Sequence, residues 1–270
     1  MNKYLSKAPF TWIDWLLSAA IAGNSVLLLA LLLEPAITAW TNRPRPGLQV
    51  HQQYMLKHAD YPNAEVPIDY LLYLPPDYDA SKRWPLVVFL HGSGERGEDL
   101  EQVQRIGLPR LVERDKDRHW GFVLLSPQCP KDSNWNPQWI VELVDHVSSR
   151  LSIDRDRIYL TGYSMGGFGT WATACHEPDR FAAIAPLSGG GDVQQAQRLK
   201  ALPIWAFHGD KDNVVPIASS QAMVDAVRKC GGNVAFTVYP GAGHGICDMT
   251  YGDNQFLDWL LAQRRKEPLK

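Results

Sequence analysis

Apolar positions along the chain fall into three patterns, and each predicts a different element. From Trp15 to Leu33 there is no charged residue, and Val26 to Leu33 is almost pure aliphatic. As a helix these 19 residues would reach about 28 Å, close to the roughly 30 Å hydrocarbon core of a bilayer. The second pattern is the short unbroken run. Leu86 to Leu90, Phe122 to Leu125, Ile158 to Leu160 and Pro203 to Phe207 show no alternation, and each ends towards Gly, Ser or Asp. They predict strands buried on both faces of a mostly parallel sheet. The third is helical spacing. Ile140, Leu143, Val144, Val147 and Leu151 share one helix face, as do Ala222, Met223, Ala226, Val227 and Cys230 before Gly231-Gly232 ends the run. Strand alternating with helix predicts an open, doubly wound α/β sheet with right-handed crossovers. Val50 to Leu56 and Ile68 to Leu74 predict an antiparallel pair leading into it. Ala235 to Tyr239 is the last expected strand, and Phe256, Leu257, Trp259, Leu260 and Leu261 mark a closing helix.

The N-terminal run reads as one hydrophobic helix that spans a membrane, with a cleaved signal ending near Ile37-Thr38-Ala39 and a buried core helix as the alternatives. Lys3 and Lys7 precede it, Arg43 and Arg45 follow it, and the amino group tips the count towards an inside N-terminus. The expected location is therefore membrane-anchored with the globular domain outside the cytoplasm, or secreted if the segment is cleaved. Asn42-Arg43-Pro44-Arg45-Pro46-Gly47 cannot continue a helix and serves as a linker. Residues 1–46 are thus anchor and linker, and 47–270 the globular domain.

Composition narrows the rest. The 270 residues are 45% apolar, enough for a large core, and 27 Lys+Arg against 29 Asp+Glu leave a net charge of -2. No basic run offers an electrostatic footprint for nucleic acid. The cysteines, at 129, 175, 230 and 247, match no metal-ligand spacing, and Cys129 with Cys247 is a conceivable disulfide in an exported domain.

In a sheet of this kind the chemistry belongs at the carboxyl ends of the strands. The strand Ile158 to Leu160 runs into Gly162-Tyr163-Ser164-Met165-Gly166, a Gly-x-Ser-x-Gly turn that opens a helix from Phe168 to Cys175. A nucleophile on so sharp a turn needs neighbours without side chains, which the glycines provide. Its hydroxyl needs a base, and His244, in the glycine-rich loop after the last strand, can fold back to it. The base needs a carboxylate to orient it. Asp212 is the expected one, Asp210 in the same loop is expected to hold that loop together, and Asp248 follows the histidine rather than preceding it. The backbone N–H groups of Ser93 and Met165 are expected to meet the oxyanion. Glu95 and Arg96 are candidate substrate contacts or a bracing ion pair. Trp135, Trp139, Trp171 and Met249 are candidates for lining an acyl or aryl pocket, with core packing the alternative for the tryptophans. His91 and His208 end strands and are expected to make structural hydrogen bonds.

His91-Gly92-Ser93-Gly94-Glu95-Arg96-Gly97, Pro127-Gln128-Cys129-Pro130, Gly162 to Gly167, and His208-Gly209-Asp210-Lys211-Asp212 with Val215-Pro216 resemble the α/β-hydrolase group. That group joins small carboxylesterases, phospholipase/carboxylesterase proteins and peptidases of prolyl-oligopeptidase type. The resemblance covers about residues 50 to 265 and implies the α/β-hydrolase fold and a Ser164–Asp212–His244 triad. It implies a small-molecule ester substrate and no metal or organic cofactor. Dienelactone hydrolases are similar in architecture but use cysteine where this chain has Ser164, which disfavours their activity. True prolyl oligopeptidases add a propeller for which the stretch before residue 50 is too short, so an ester substrate is expected ahead of a peptide. A catalytically silent binding domain is the remaining alternative.

Overall fold

A computed structural model of the protein describes residues 43–57 and 65–265. The hydrophobic segment Trp15 to Leu33 and the turn between the first two strands lie outside the described residues. Among the described residues no helix is long and apolar enough to cross a membrane.

The sequence enters the sheet through an antiparallel pair, β1 (Gln49–Lys57) and β2 (Glu65–Tyr73), with Val50 opposite Leu72. The strands that follow are β3 (Trp84–Leu90), β4 (Val123–Pro127), β5 (Ile153–Tyr163), β6 (Ala183–Leu187), β7 (Ile204–Gly209) and β8 (Val234–Tyr239). Across the described sheet the order is β1-β2-β4-β3-β5-β6-β7-β8, parallel from β4 to β8. The unbroken apolar runs are buried on both faces. Every residue of β3 and β4 is buried, with Leu86, Val88 and Leu90 in one core and Val87 and Phe89 in the other.

Helices cover both faces. On one side lie α3 (Pro137–Arg150), α4 (Met165–His176) and α5 (Ala218–Lys229); the other carries α2 (Gly107–Arg114), α6 (Cys247–Tyr251) and α7 (Asn254–Ala262). A short α1 (Leu100–Gln104) precedes α2. Local chemistry sets the boundaries. Asn136 accepts from the Gln138 N–H ahead of Pro137, and Leu151, extended, stops α3.

Several elements lie beyond the sequence reading. β6 is wholly buried and central, yet Ala183-Ile184-Ala185-Pro186-Leu187 carries one β-branched residue and a proline that removes a ladder donor. Burial on both faces overrides that weak local preference. The helices α1 and α6 are too short to display a period. Leu151, counted into a helix by spacing, is its cap.

From β3 the chain steps to β4 on one side, then crosses back to β5 on the other. The strand order therefore reverses at β3, and the crevice outside β3 and β5 is where such sheets take their ligands. The loop after β3 carries His91 to Gly97, and the turn after β5 carries Ser164.

Candidate active site

Ser164 sits between β5 and α4 with φ 56° and ψ -117°, a backbone region that non-glycine residues rarely adopt. The turn is held by close backbone packing. A Cβ on Gly162 would run into the Gly166 backbone, one on Gly166 into the carbonyl of Leu90, and one on Gly167 into that of Leu187. The bracketing glycines are thus required by space rather than by flexibility. The Ser164 carbonyl accepts the Phe168 N–H at 3.1 Å, so the N–H groups of residues 165 to 167 precede the first intrahelical bond and point with the helix dipole towards the crevice.

The three side chains singled out from separate loops meet. Ser164 Oγ lies 2.9 Å from His244 Nε2, and His244 Nδ1 lies 2.7 Å from Asp212 Oδ2. The Asp212 side chain has no exposed surface, and its Oδ1 accepts the N–H groups of Val214 and Val215, each at 2.9 Å. Burial pushes the Asp212 carboxyl up, but the hydrogen bonds from His244, Val215 and Val214 outweigh it and hold the group below the usual carboxylate range. It is therefore a fixed anion aimed at the imidazole. Asp210 turns elsewhere: its Oδ1 accepts the Gly241 N–H and ties the β7 loop to the His244 loop. Asp248 pairs with Arg110.

The loop after β3 is braced by His91. The buried ring accepts the Cys129 N–H on Nε2 at 3.0 Å and donates from Nδ1 to the Gly92 carbonyl at 2.6 Å, a neutral tautomer. In a trans peptide the C=O and N–H point opposite ways, so this bond turns the Ser93 N–H away from His91. The Pro127-Gln128-Cys129-Pro130 motif completes the brace. Gln128 Nε2 donates to the carbonyls of Glu95 and Asp99, each at 2.8 Å, and Gly97 N–H to that of Cys129 at 3.0 Å.

Burial, the largest influence, lowers the His91 pKa to about 4. An unfolded chain takes up that proton near 6.5, so the unfolded state binds more protons between about 6.5 and about 4, and stability falls as pH falls through that window by on the order of 3 kcal/mol. Glu95, whose carboxyl burial lifts above its usual range, acts in the opposite sense near its own titration. His91→Asn keeps a donor for Gly92 and loses the titrating ring. Urea unfolding at pH 7 and pH 4.5 is expected to show a flatter acid decline in this variant, and an equal decline in both proteins would remove His91 as its source.

Other expected contacts find different places. Trp135 is 8% exposed, donates Nε1–H to the His91 carbonyl at 3.0 Å and fills the space above Gly169, so it supports the loop from behind instead of facing substrate. Trp171 is in the core and Trp139 packs against it, whereas Met249 is exposed. Arg96 makes no ion pair with Glu95; its guanidinium donates to the carbonyls of Ser93 and Ser133, each at 3.1 Å. Glu95 stays at the crevice: Gly92 is wedged among Glu95 Oε2, Tyr163 and the Ser164 Cβ. All four cysteines are free thiols, Cys129 and Cys247 included. One neighbour carries no sequence signal, Tyr163, whose ring lies 4.9 Å from that of His244; His208 makes the structural hydrogen bonds expected at its strand end, and its Nε2 also lies 3.1 Å from Asp212 Oδ2.

Residues 126–257 match the phospholipase/carboxylesterase family. A bifunctional acetylxylan esterase/xylanase of Neocallimastix patriciarum is 29% identical over 138 residues, 48% of this chain and 20% of that protein. A protein of Aspergillus terreus named "Probable feruloyl esterase C" is 26% identical over 66% of this chain and 67% of its own length. Among solved structures, a thermostable esterase superposes with a TM-score of 0.67 at 33% identity, over 80% of this chain and 63% of that one. The chain thus spans a fifth of the first relative and about two thirds of the others. The family match runs from β4 into the closing helix and takes in the elements that carry Ser164, Asp212 and His244; the chain has the α/β-hydrolase fold and is similar to the esterase group of that superfamily.

Proposed function

We propose that the chain is a serine hydrolase of carboxylic esters that works through an acyl-enzyme. Ser164 Oγ attacks the ester carbonyl while His244 Nε2 takes the hydroxyl proton, and Asp212 stabilises the imidazolium that forms. The oxyanion is met by the N–H groups of Ser93 and Met165, which lie on the braced loop and at the start of α4. Collapse expels the alcohol, which takes its proton from His244. Water then repeats the cycle on the acyl-serine and releases the acid. The unbroken series from Ser164 Oγ to His244 at 2.9 Å and on to Asp212 at 2.7 Å carries this reading. The esterase names of the relatives support the ester as substrate. Phe168, one helical turn beyond Ser164 and 41% exposed, and Met249, 47% exposed, offer apolar surface for an acyl or aryl group.

A p-nitrophenyl ester series of increasing acyl length, run beside peptide anilides, tests the reaction class. Ester turnover with kcat/KM at least about 100-fold above that of the anilides is expected, a ratio of roughly 2.7 kcal/mol in transition-state stabilisation. Anilides turned over as fast as esters would move the assignment to a peptidase. We also place the anchor at Trp15 to Leu33 and the catalytic domain outside the cytoplasm. Removal of residues 1–46 is then expected to shift the protein from the membrane fraction to the soluble one with the ester profile unchanged.

A further inference from the structure

Behind Asp212 lies a second imidazole. His208, near the end of β7, has no exposed surface, and both of its ring nitrogens are engaged. Nδ1 lies 2.7 Å from Ser220 Oγ; Nε2 lies 2.9 Å from the Val215 carbonyl and 3.1 Å from Asp212 Oδ2. Ser220 has one hydroxyl hydrogen, and its Oγ is 2.6 Å from the Gly189 carbonyl oxygen. Two oxygens approach so closely only with a hydrogen between them. Ser220 therefore turns lone pairs towards His208, and Nδ1 must donate. Nε2 faces a carbonyl and a carboxylate, both acceptors, and must donate as well.

We propose that His208 is a positioning residue for Asp212, a buried imidazolium with hydrogen on both nitrogens that grips the carboxylate from the core side while His244 grips it from the crevice. A buried cation needs a counter-charge, and the equally buried Asp212 supplies it. One oxygen of Asp212 then lies against two rings, hydrogen-bonded to His244 and ion-paired with His208, whose Nε2–H is directed at the Val215 carbonyl, and the other oxygen is fixed by the N–H groups of Val214 and Val215. The arrangement has an electrostatic consequence, which rests on the reading of Ser164, Asp212 and His244 as a triad. The positive ring behind Asp212 offsets part of its charge, so an imidazolium at His244 is stabilised less than by a lone carboxylate. Tyr163 packs beside His244, and Cys247 and Glu95 act electrostatically on Tyr163 from beyond it.

The full chain, labelled with nitrogen-15 histidine, provides the direct test. The ring signals of His208, assigned in the unsubstituted protein by through-bond transfer from its backbone, are expected to show hydrogen on both nitrogens at pH 7. A bare nitrogen overturns the proposal. His208→Gln places an uncharged N–H near the Nε2 position, whereas the amide of His208→Asn is too short to reach Asp212. In His208→Gln the acid limb of kcat/KM is expected to move up by about one pH unit, in line with loss of a unit charge a few ångströms away in a partly screened site. His208→Asn is expected to lose a further tenfold or so in kcat with KM little changed. A limb that stays in place in His208→Gln overturns the charge role. Failure of the triad reading is separable, because turnover retained by Ser164→Ala would remove the kinetic consequence and leave the ring signals to answer for the protonation.

Discussion

Ser164→Ala is expected to lower kcat for p-nitrophenyl esters by roughly 10⁴- to 10⁶-fold, with KM nearly unchanged and no labelling by a fluorophosphonate probe. The substitution removes the nucleophile and little else. Alanine keeps the Cβ, so the backbone at φ 56° and ψ -117° is as strained in the variant as in the parent. The glycines that make room for the turn are untouched, and thermal stability is expected to stay put. Ser164→Gly separates the two properties that meet at this residue. It abolishes turnover equally, but glycine adopts positive φ without steric cost, which relieves strain of about 1–3 kcal/mol against an entropic loss of about 0.5–1 kcal/mol. Its melting temperature is therefore expected to exceed that of Ser164→Ala. Full ester turnover in either variant would sink the assignment of the site. Equal melting temperatures would mean instead that the strain at this turn is negligible.

The parts of this site that were legible from sequence are those in which one residue type is demanded by local geometry. Gly162 and Gly166 announce the turn because a side chain at either meets backbone, and His244 stands out because its loop follows the last strand. Asp212 was separable from Asp210 by distance from the strand end, and the structure places the two in different hydrogen bonds. The buried strands were legible wherever they were rich in Leu, Val and Ile. Central β6 was not, because its small residues and proline carry no strand signal, and what orders it is the packing of both neighbours. His91 and His208 were legible as structural hydrogen-bonding residues at strand ends, but their particular partners, like that of Trp135, were out of reach. Each acts through a backbone carbonyl, an N–H group or a carboxylate brought near by the fold, contacts that no spacing encodes. Trp135 shows the cost of guessing from residue type: an aromatic near the site reads as a pocket wall until its indole N–H is found on the carbonyl that precedes the loop.

Asp212→Asn is expected to lower kcat by about 10⁴-fold while Asp210→Asn costs only a few-fold, and the structure dictates why. In Asp212 one oxygen accepts two N–H groups, from Val214 and Val215, so an asparagine must place its carbonyl there. Its NH₂ is then forced into the position of Oδ2, facing His244 Nδ1. A donor at that place obliges Nδ1 to accept, which moves the ring hydrogen to Nε2, pointing at Ser164 Oγ. The ring can no longer take the serine proton, although every heavy atom stays within a few tenths of an ångström. The same NH₂ confronts the Nε2–H of His208, so a loss of stability of about 1–3 kcal/mol should accompany the loss of rate. Asp210 differs because its oxygen accepts from Gly241 alone among these contacts, and an asparagine carbonyl can do that equally well. The measurement is kcat and KM for one ester with both variants at a pH above the acid limb. A larger loss in Asp210→Asn would transfer the carboxylate role to Asp210, and near-equal small losses would mean that His244 is held in its working tautomer by something other than Asp212.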